Sequence, residues 1–110
     1  MIIHNKLFHY TCKNNLQSIL SQGQLNPDVF GDIYFTPTLS DCEKFVLGYS
    51  ELNNIDKSQY AILEIDISYS DIDISNLEVS FDHNKKYFYN ADALVYNGVL
   101  KIDNIKIHTI

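Results

Sequence analysis

The sequence predicts a compact α+β domain, with two helices early and a split, mostly antiparallel β-sheet around a cleft. Three observations carry that expectation. Residues 6–11 and 32–36 have the period of two that marks a strand, and each stretch runs into apolar residues at helical spacing. From Tyr60 onward the period of two dominates, which makes the second half β-rich. The 110 residues, 45% of them hydrophobic, suffice for one core, so residues 1–110 are read as a single domain.

The elements follow in order. In 6–11, Leu7, His9 and Thr11 share one face, and Phe8 and Tyr10 the other. Asn14 or Asn15 is placed to cap a helix carrying Leu16, Ile19 and Leu20, and Gly23 is placed to end it in a left-handed conformation. Residues 25–31 read as a loop, with turn chemistry at Pro27 and Gly31. In 32–36, Ile33 and Phe35 oppose Asp32, Tyr34 and Thr36, and Pro37 ends the ladder because it has no N–H. Ser40-x-x-Glu43 has the form of a capping box. Behind it Cys42, Phe45, Val46 and Tyr49 make one apolar stripe, with Gly48 expected to fray the helix end and 50–58 to be loop.

The second half reads as a half-exposed strand at 60–67, a turn or short strand at 71–75, and a weak strand at 77–81. A turn at 82–86 and an aromatic cluster, Tyr87-Phe88-Tyr89, precede an apolar strand at 91–96. Asn97-Gly98 suits a type I′ hairpin turn, with the return strand at 99–107 and a bulge at Asp103-Asn104.

Composition narrows the function classes. The net charge is −6 and no basic run occurs, which disfavours a broad nucleic-acid surface and suits a protein partner. Cys12 and Cys42 lack C-x-x-C spacing and read as two reduced, partly buried thiols; no metal-ligating constellation is legible. No apolar run approaches the ~20 residues that span a bilayer. No signal peptide is legible either, so the expected compartment is the cytoplasm, of the producing cell or of a host.

His9-Tyr10-Thr11, the helix pattern N-L-Q-S-I-L-S-Q-G, and G-D-I-Y-F-T-P before a second helix together resemble the ADP-ribosyltransferase superfamily. The match is to its H-Y-E-like branch, over residues 7–49 and, in part, the final stretch 91–107. The resemblance implies an ADP-ribosyltransferase-like fold around an NAD cleft, with NAD as substrate. It implies transfer of ADP-ribose to a macromolecule by a toxin, effector or phage-borne inhibitor, and the acidic charge makes a protein target the expected one rather than a nucleic acid. His9 then matches the residue that binds the adenosine-side ribose. Tyr10 stands where backbone holds the nicotinamide amide, and Thr11 completes an H-x-T form. Tyr34 matches the first aromatic stacked on nicotinamide, and Phe45, eleven residues on, the second.

The chain departs from the pattern at the third residue. Gly98 stands where the family has its late-strand Glu, which leaves Asn97 and Asp92 as candidates to orient the reacting ribose. Two other readings therefore stay open. One is a catalytically inactive acidic binding protein or inhibitor on the same fold. The other is an RNA 2′-phosphotransferase-like enzyme, which would have to hold phosphate with lysines alone.

Overall fold

The computed structural model describes residues 5–80 and 88–110. The expected turn at 82–86, Phe81 and Tyr87 lie outside the described residues. In chain order the elements are β1 (Lys6–Cys12), α1 (Leu16–Gln22), β2 (Gln24–Leu25), β3 (Asp32–Phe35) and α2 (Leu39–Asn53). Then come β4 (Tyr60–Asp66), β5 (Leu77–Val79), β6 (Leu94–Asn97), β7 (Leu100–Lys101) and β8 (Lys106–Thr109). The strands form three sheets, ordered β1-β4-β8, β2-β7 and β3-β6-β5, and every pairing is antiparallel. The chain is a compact α+β domain with a split sheet.

The central strand β4 was expected to be half exposed. Instead Tyr60, Ala61, Ile62, Leu63 and Ile65 are all buried, because β4 has strands on both edges and layers on both faces. Tyr60 and Ile62 pack with Phe8, Cys42 and Val46 under α2. Leu63 and Ile65 pack with Leu7, and with Ile33, Phe35, Leu94 and Leu100 of the other two sheets. The two faces of β1 thus point into different cores, Leu7 into one and Phe8 into the other.

Both helix starts differ from expectation. A 3₁₀ turn at Lys13–Asn15 leads into α1, and neither asparagine caps it; Asn15 instead donates to Thr11 Oγ1 at 3.4 Å. Gly23 does close α1, at φ 65°, with its N–H on the Ile19 carbonyl. For α2 the cap is Thr38, two residues before Ser40. Thr38 Oγ1 accepts from Asp41 N (3.1 Å) and its hydroxyl donates to the Asp41 carboxylate (2.9 Å). Starting there adds Leu39 to the stripe that packs against β1 and β4. Gly48 does not fray the helix. It is buried, and α2 runs on to Asn53, absorbing part of the expected loop.

Three short turns, one of them within the turn or short strand expected at 71–75, share one device. Asp56, Asp66 and Asp73 each accept from the N–H of the serine two residues on, opening a 3₁₀ turn. These bonds to Ser58, Ser68 and Ser75 hold all three carboxyls below the usual range.

Asn97-Gly98 is not a hairpin turn. A type I′ turn needs positive φ at both residues, and only Gly98 has it, at 110°. The chain leaves β6, which pairs with β3 and β5, and enters β7, which pairs with β2. Gly98 N–H donates to the Gly31 carbonyl at 2.9 Å, and buried Leu100 sits opposite buried Leu25. The expected return strand is two short ones, β7 and β8, parted at Asn104 (φ 55°).

Among the described residues no helix is long and apolar enough to cross a membrane.

The shifted cap is testable by chemical denaturation. Thr38→Ala should cost about 1 kcal/mol of stability, whereas Ser40→Ala should change it by less than about 0.5 kcal/mol.

Candidate functional site

The site begins where two strands meet at a single bridge. Phe8 and Thr36 exchange both backbone hydrogen bonds, at 3.0 and 2.8 Å. In a continuing antiparallel ladder Tyr10 and Tyr34 would form the next such pair. Here β1 and β3 part, and the His9 ring takes the place of the missing ladder bond. Its Nδ1 lies 2.7 Å from the Tyr34 carbonyl oxygen.

That contact sets the ring's chemistry. A carbonyl can only accept, so Nδ1 carries the proton, and in the neutral ring Nε2 is an acceptor. Burial lowers the His9 pKa below 6.5, while the bond to Tyr34 opposes that shift in part. The Phe35 ring, 5.6 Å away between centroids, packs against the imidazole. His9 is thus an oriented ring at the mouth of the fork, whose neutral form has Nε2 as its hydrogen-bond acceptor.

The fork opens onto a cleft of about 400 Å³. His9, Tyr10 and Thr11 form its β1 wall, and Asp32 and Tyr34 its β3 wall. Ser18, Ile19 and Gln22 of α1 and the loop from Leu25 to Asp28 close it. The volume falls in the range of roughly 300–1,000 Å³ of small-molecule sites. Two carboxylates, Asp28 and Asp32, face this cleft, and among the described residues no lysine does.

Of the residues singled out in the sequence, His9, Tyr10, Thr11 and Tyr34 meet in this one cleft. Phe45 does not line it. Phe45 is buried with Phe88, Ala91 and Ala93, its ring nearly parallel to Tyr10 at 6.3 Å and against Phe88 at 4.9 Å. Tyr10 therefore links cleft and core, and burial beside Tyr49 raises its phenol pKa. Asn97 stands opposite Asp32 across the β3–β6 pair and donates to its Oδ1 at 3.2 Å. Asn97 lines a second cleft, of about 420 Å³, with Asp32, Ser75, Asn76, Glu78 and Val95. Asp92 lies between buried Ala91 and Ala93, ahead of β6, and lines neither cleft.

No protein-family model matches this chain, and no curated protein matches it.

Sequence reasoning missed Asp32, the one residue common to both clefts. Its signal was present, since the alternation of 32–36 puts Asp32 on the face of Tyr34. Among the described residues no group of three or more His, Cys, Asp or Glu is placed to hold a metal ion. Cys12 is exposed and Cys42 buried, and both are free. Burial pushes the Cys42 thiol up to about 12, so it stays protonated at neutral pH.

The His9 geometry has a pH signature. The folded pKa lies below 6.5, so acid favours the unfolded chain. Stability from this residue should be fully present above pH 6.5, should fall as the pH drops toward the lowered value, and should then level off. Long-range ¹⁵N–¹H NMR should find the ring neutral with the proton on Nδ1 at pH 6.5, and His9→Gln should remove that segment of the stability profile.

Proposed function

We propose that this chain is an NAD-dependent mono-ADP-ribosyltransferase-like protein that transfers ADP-ribose from NAD to a macromolecular target. It would act in the cytoplasm of its own or a host cell, as a toxin, effector or phage-borne inhibitor. One observation carries the reading: His9, Thr11 and Tyr34 converge on one cleft at the fork between two antiparallel sheets. The cleft's size and its mixed apolar and hydrogen-bonding wall support a nucleotide-sized ligand.

NAD supplies an activated ADP-ribosyl group, since the bond from ribose C1′ to the nicotinamide nitrogen breaks with its electron pair going to nicotinamide. The side chains then have separate tasks. His9 Nε2 accepts from a ribose hydroxyl, because Nδ1 is committed to Tyr34. Thr11 adds a hydroxyl on the same wall. Tyr34, 41% exposed, offers its ring face to the nicotinamide. Tyr10 contributes its backbone, its ring being packed on Phe45. Phe45 supports the site through Tyr10 rather than as a second exposed ring. A carboxylate near C1′ offsets positive charge there. Asp32 lines the cleft and is held by Asn97, while Asp92 precedes β6.

A second reading, a binding protein without turnover, draws on Asp28 and Asp32. The described wall residues include no lysine and present only negative charge toward an anionic nucleotide. A phosphotransferase reading draws less support, since among the described residues neither cleft presents a lysine to hold phosphate.

Calorimetry with NAD and a nicotinamide-release assay separate the readings. The wild type should bind NAD and release nicotinamide, and His9→Ala and Tyr34→Ala should each lower release by at least about tenfold. Among Asp32→Asn, Asp92→Asn and Asn97→Ala, the variant that binds NAD but loses release identifies the third residue. Absence of NAD binding by the wild type would sink the transferase reading.

A further inference from the structure

Beside the cleft, two neighbouring apolar side chains stand almost wholly in solvent. Val29 is 93% exposed and Phe30 81%. The turn that carries them is tied down. Asp28 Oδ1 accepts from Phe30 N at 2.8 Å and from Asp32 N at 3.1 Å. Asp28 N–H donates to the Asp32 carbonyl at 2.9 Å, and Gly31 N–H to the Asp28 carbonyl at 3.0 Å. Gly31, at φ 82°, supplies the left-handed step that closes the turn. The Gly98 N–H, on the Gly31 carbonyl, anchors the turn to the β6–β7 crossing, where Val99 is 52% exposed.

A turn fixed in this way has little conformational freedom left to lose on association. Aromatic side chains that enter a pocket dominate many interfaces. The apolar tip therefore has the form of a prepared anchor.

The surroundings select its partner. Asp28 and Asp32 lie on the cleft side of the tip, and Glu78 lines the second cleft, which shares Asp32. Among the described residues no lysine lines either cleft, and the whole chain carries −6. A second copy of the chain bears the same charge, and an anionic membrane surface repels the same carboxylates, so charge disfavours both.

We infer that the Val29–Phe30 tip docks the target of the proposed transfer, a protein that offers an apolar pocket bordered by lysine or arginine. The tip fills the pocket, and the basic border lies over Asp32 and Glu78. This inference rests on the transferase reading, and it gives that reading a basis for target choice.

The test uses the full chain, biotin-labelled NAD and a cell extract as the pool of acceptor proteins. Nicotinamide release in the absence of extract and protein labelling in its presence are read separately. A Val29→Ser/Phe30→Ser double variant should release nicotinamide at the wild-type rate and lose at least tenfold in protein labelling. Wild-type labelling should also fall as salt rises, because charged groups border the contact. Equal labelling by variant and wild type overturns the docking role alone. Joint loss of release and labelling assigns the tip to the cleft's chemistry and also overturns it. A wild type that neither binds nor cleaves NAD overturns the transferase reading and the inference with it. Binding to anionic phosphatidylcholine–phosphatidylglycerol vesicles, or dimerisation in sedimentation velocity, that the double variant abolishes would assign the tip to a membrane or a second copy and overturn the protein partner.

Discussion

The hydrogen bond from His9 Nδ1 to the Tyr34 carbonyl is the contact on which the candidate site depends. A single antiparallel bridge, Phe8 to Thr36, joins β1 to the end of β3. Beyond that pair they separate, and the Tyr34 carbonyl would face a widening gap without a ladder partner. A side-chain donor at that point contributes about 1 kcal/mol. His9 provides it and in the same act fixes its own tautomer. The structural bond on Nδ1 is what makes Nε2 the acceptor nitrogen of the neutral ring.

The fork is sustained from behind by the two cores. Leu7 and Phe8 are both buried, on opposite faces of β1, so the strand is gripped from both sides just before it parts from β3. β3 is held by β6 along its full length, Asp32 to Phe35 against Asn97 to Leu94. Two firmly held strands diverging from one bridge make a gap of fixed shape, and α1 with the 25–28 loop only has to close it. The candidate site is thus built on strands rather than on loops, which favours a defined geometry.

Much of this was legible in the chain. The strand at 6–11, the Gly23 helix stop and the strand at 32–36 follow from local chemistry, and these elements frame the cleft. Four candidate residues met there for the same reason: His9 and Thr11 share a strand face, Tyr10 lies between them, and Tyr34 sits on the neighbouring strand. What failed was information carried by distant contacts. Asn97-Gly98 has ideal hairpin residues, yet burial of Leu100 against Leu25 and the Gly98–Gly31 bond carry the chain into another sheet. Ser40-x-x-Glu43 fits a capping box, yet packing of Leu39 starts the helix earlier. Phe45 has the spacing of a stacking aromatic, but the Phe88, Ala91 and Ala93 cluster buries it, and those residues come more than forty positions later. The repeated Asp-x-Ser turns were local and readable, and only their regularity escaped notice.

The central claim is that the fork directs His9 Nε2 and the Tyr34 ring at one ligand. The most direct measurement is NMR of the ¹⁵N-labelled chain during an NAD titration, following the two His9 ring nitrogens and the backbone amides. The account predicts a shift at Nε2 with Nδ1 remaining protonated, together with saturable shifts at Thr11 and Tyr34. A ring unaffected by NAD, or saturable shifts confined to residues away from the fork, would contradict it.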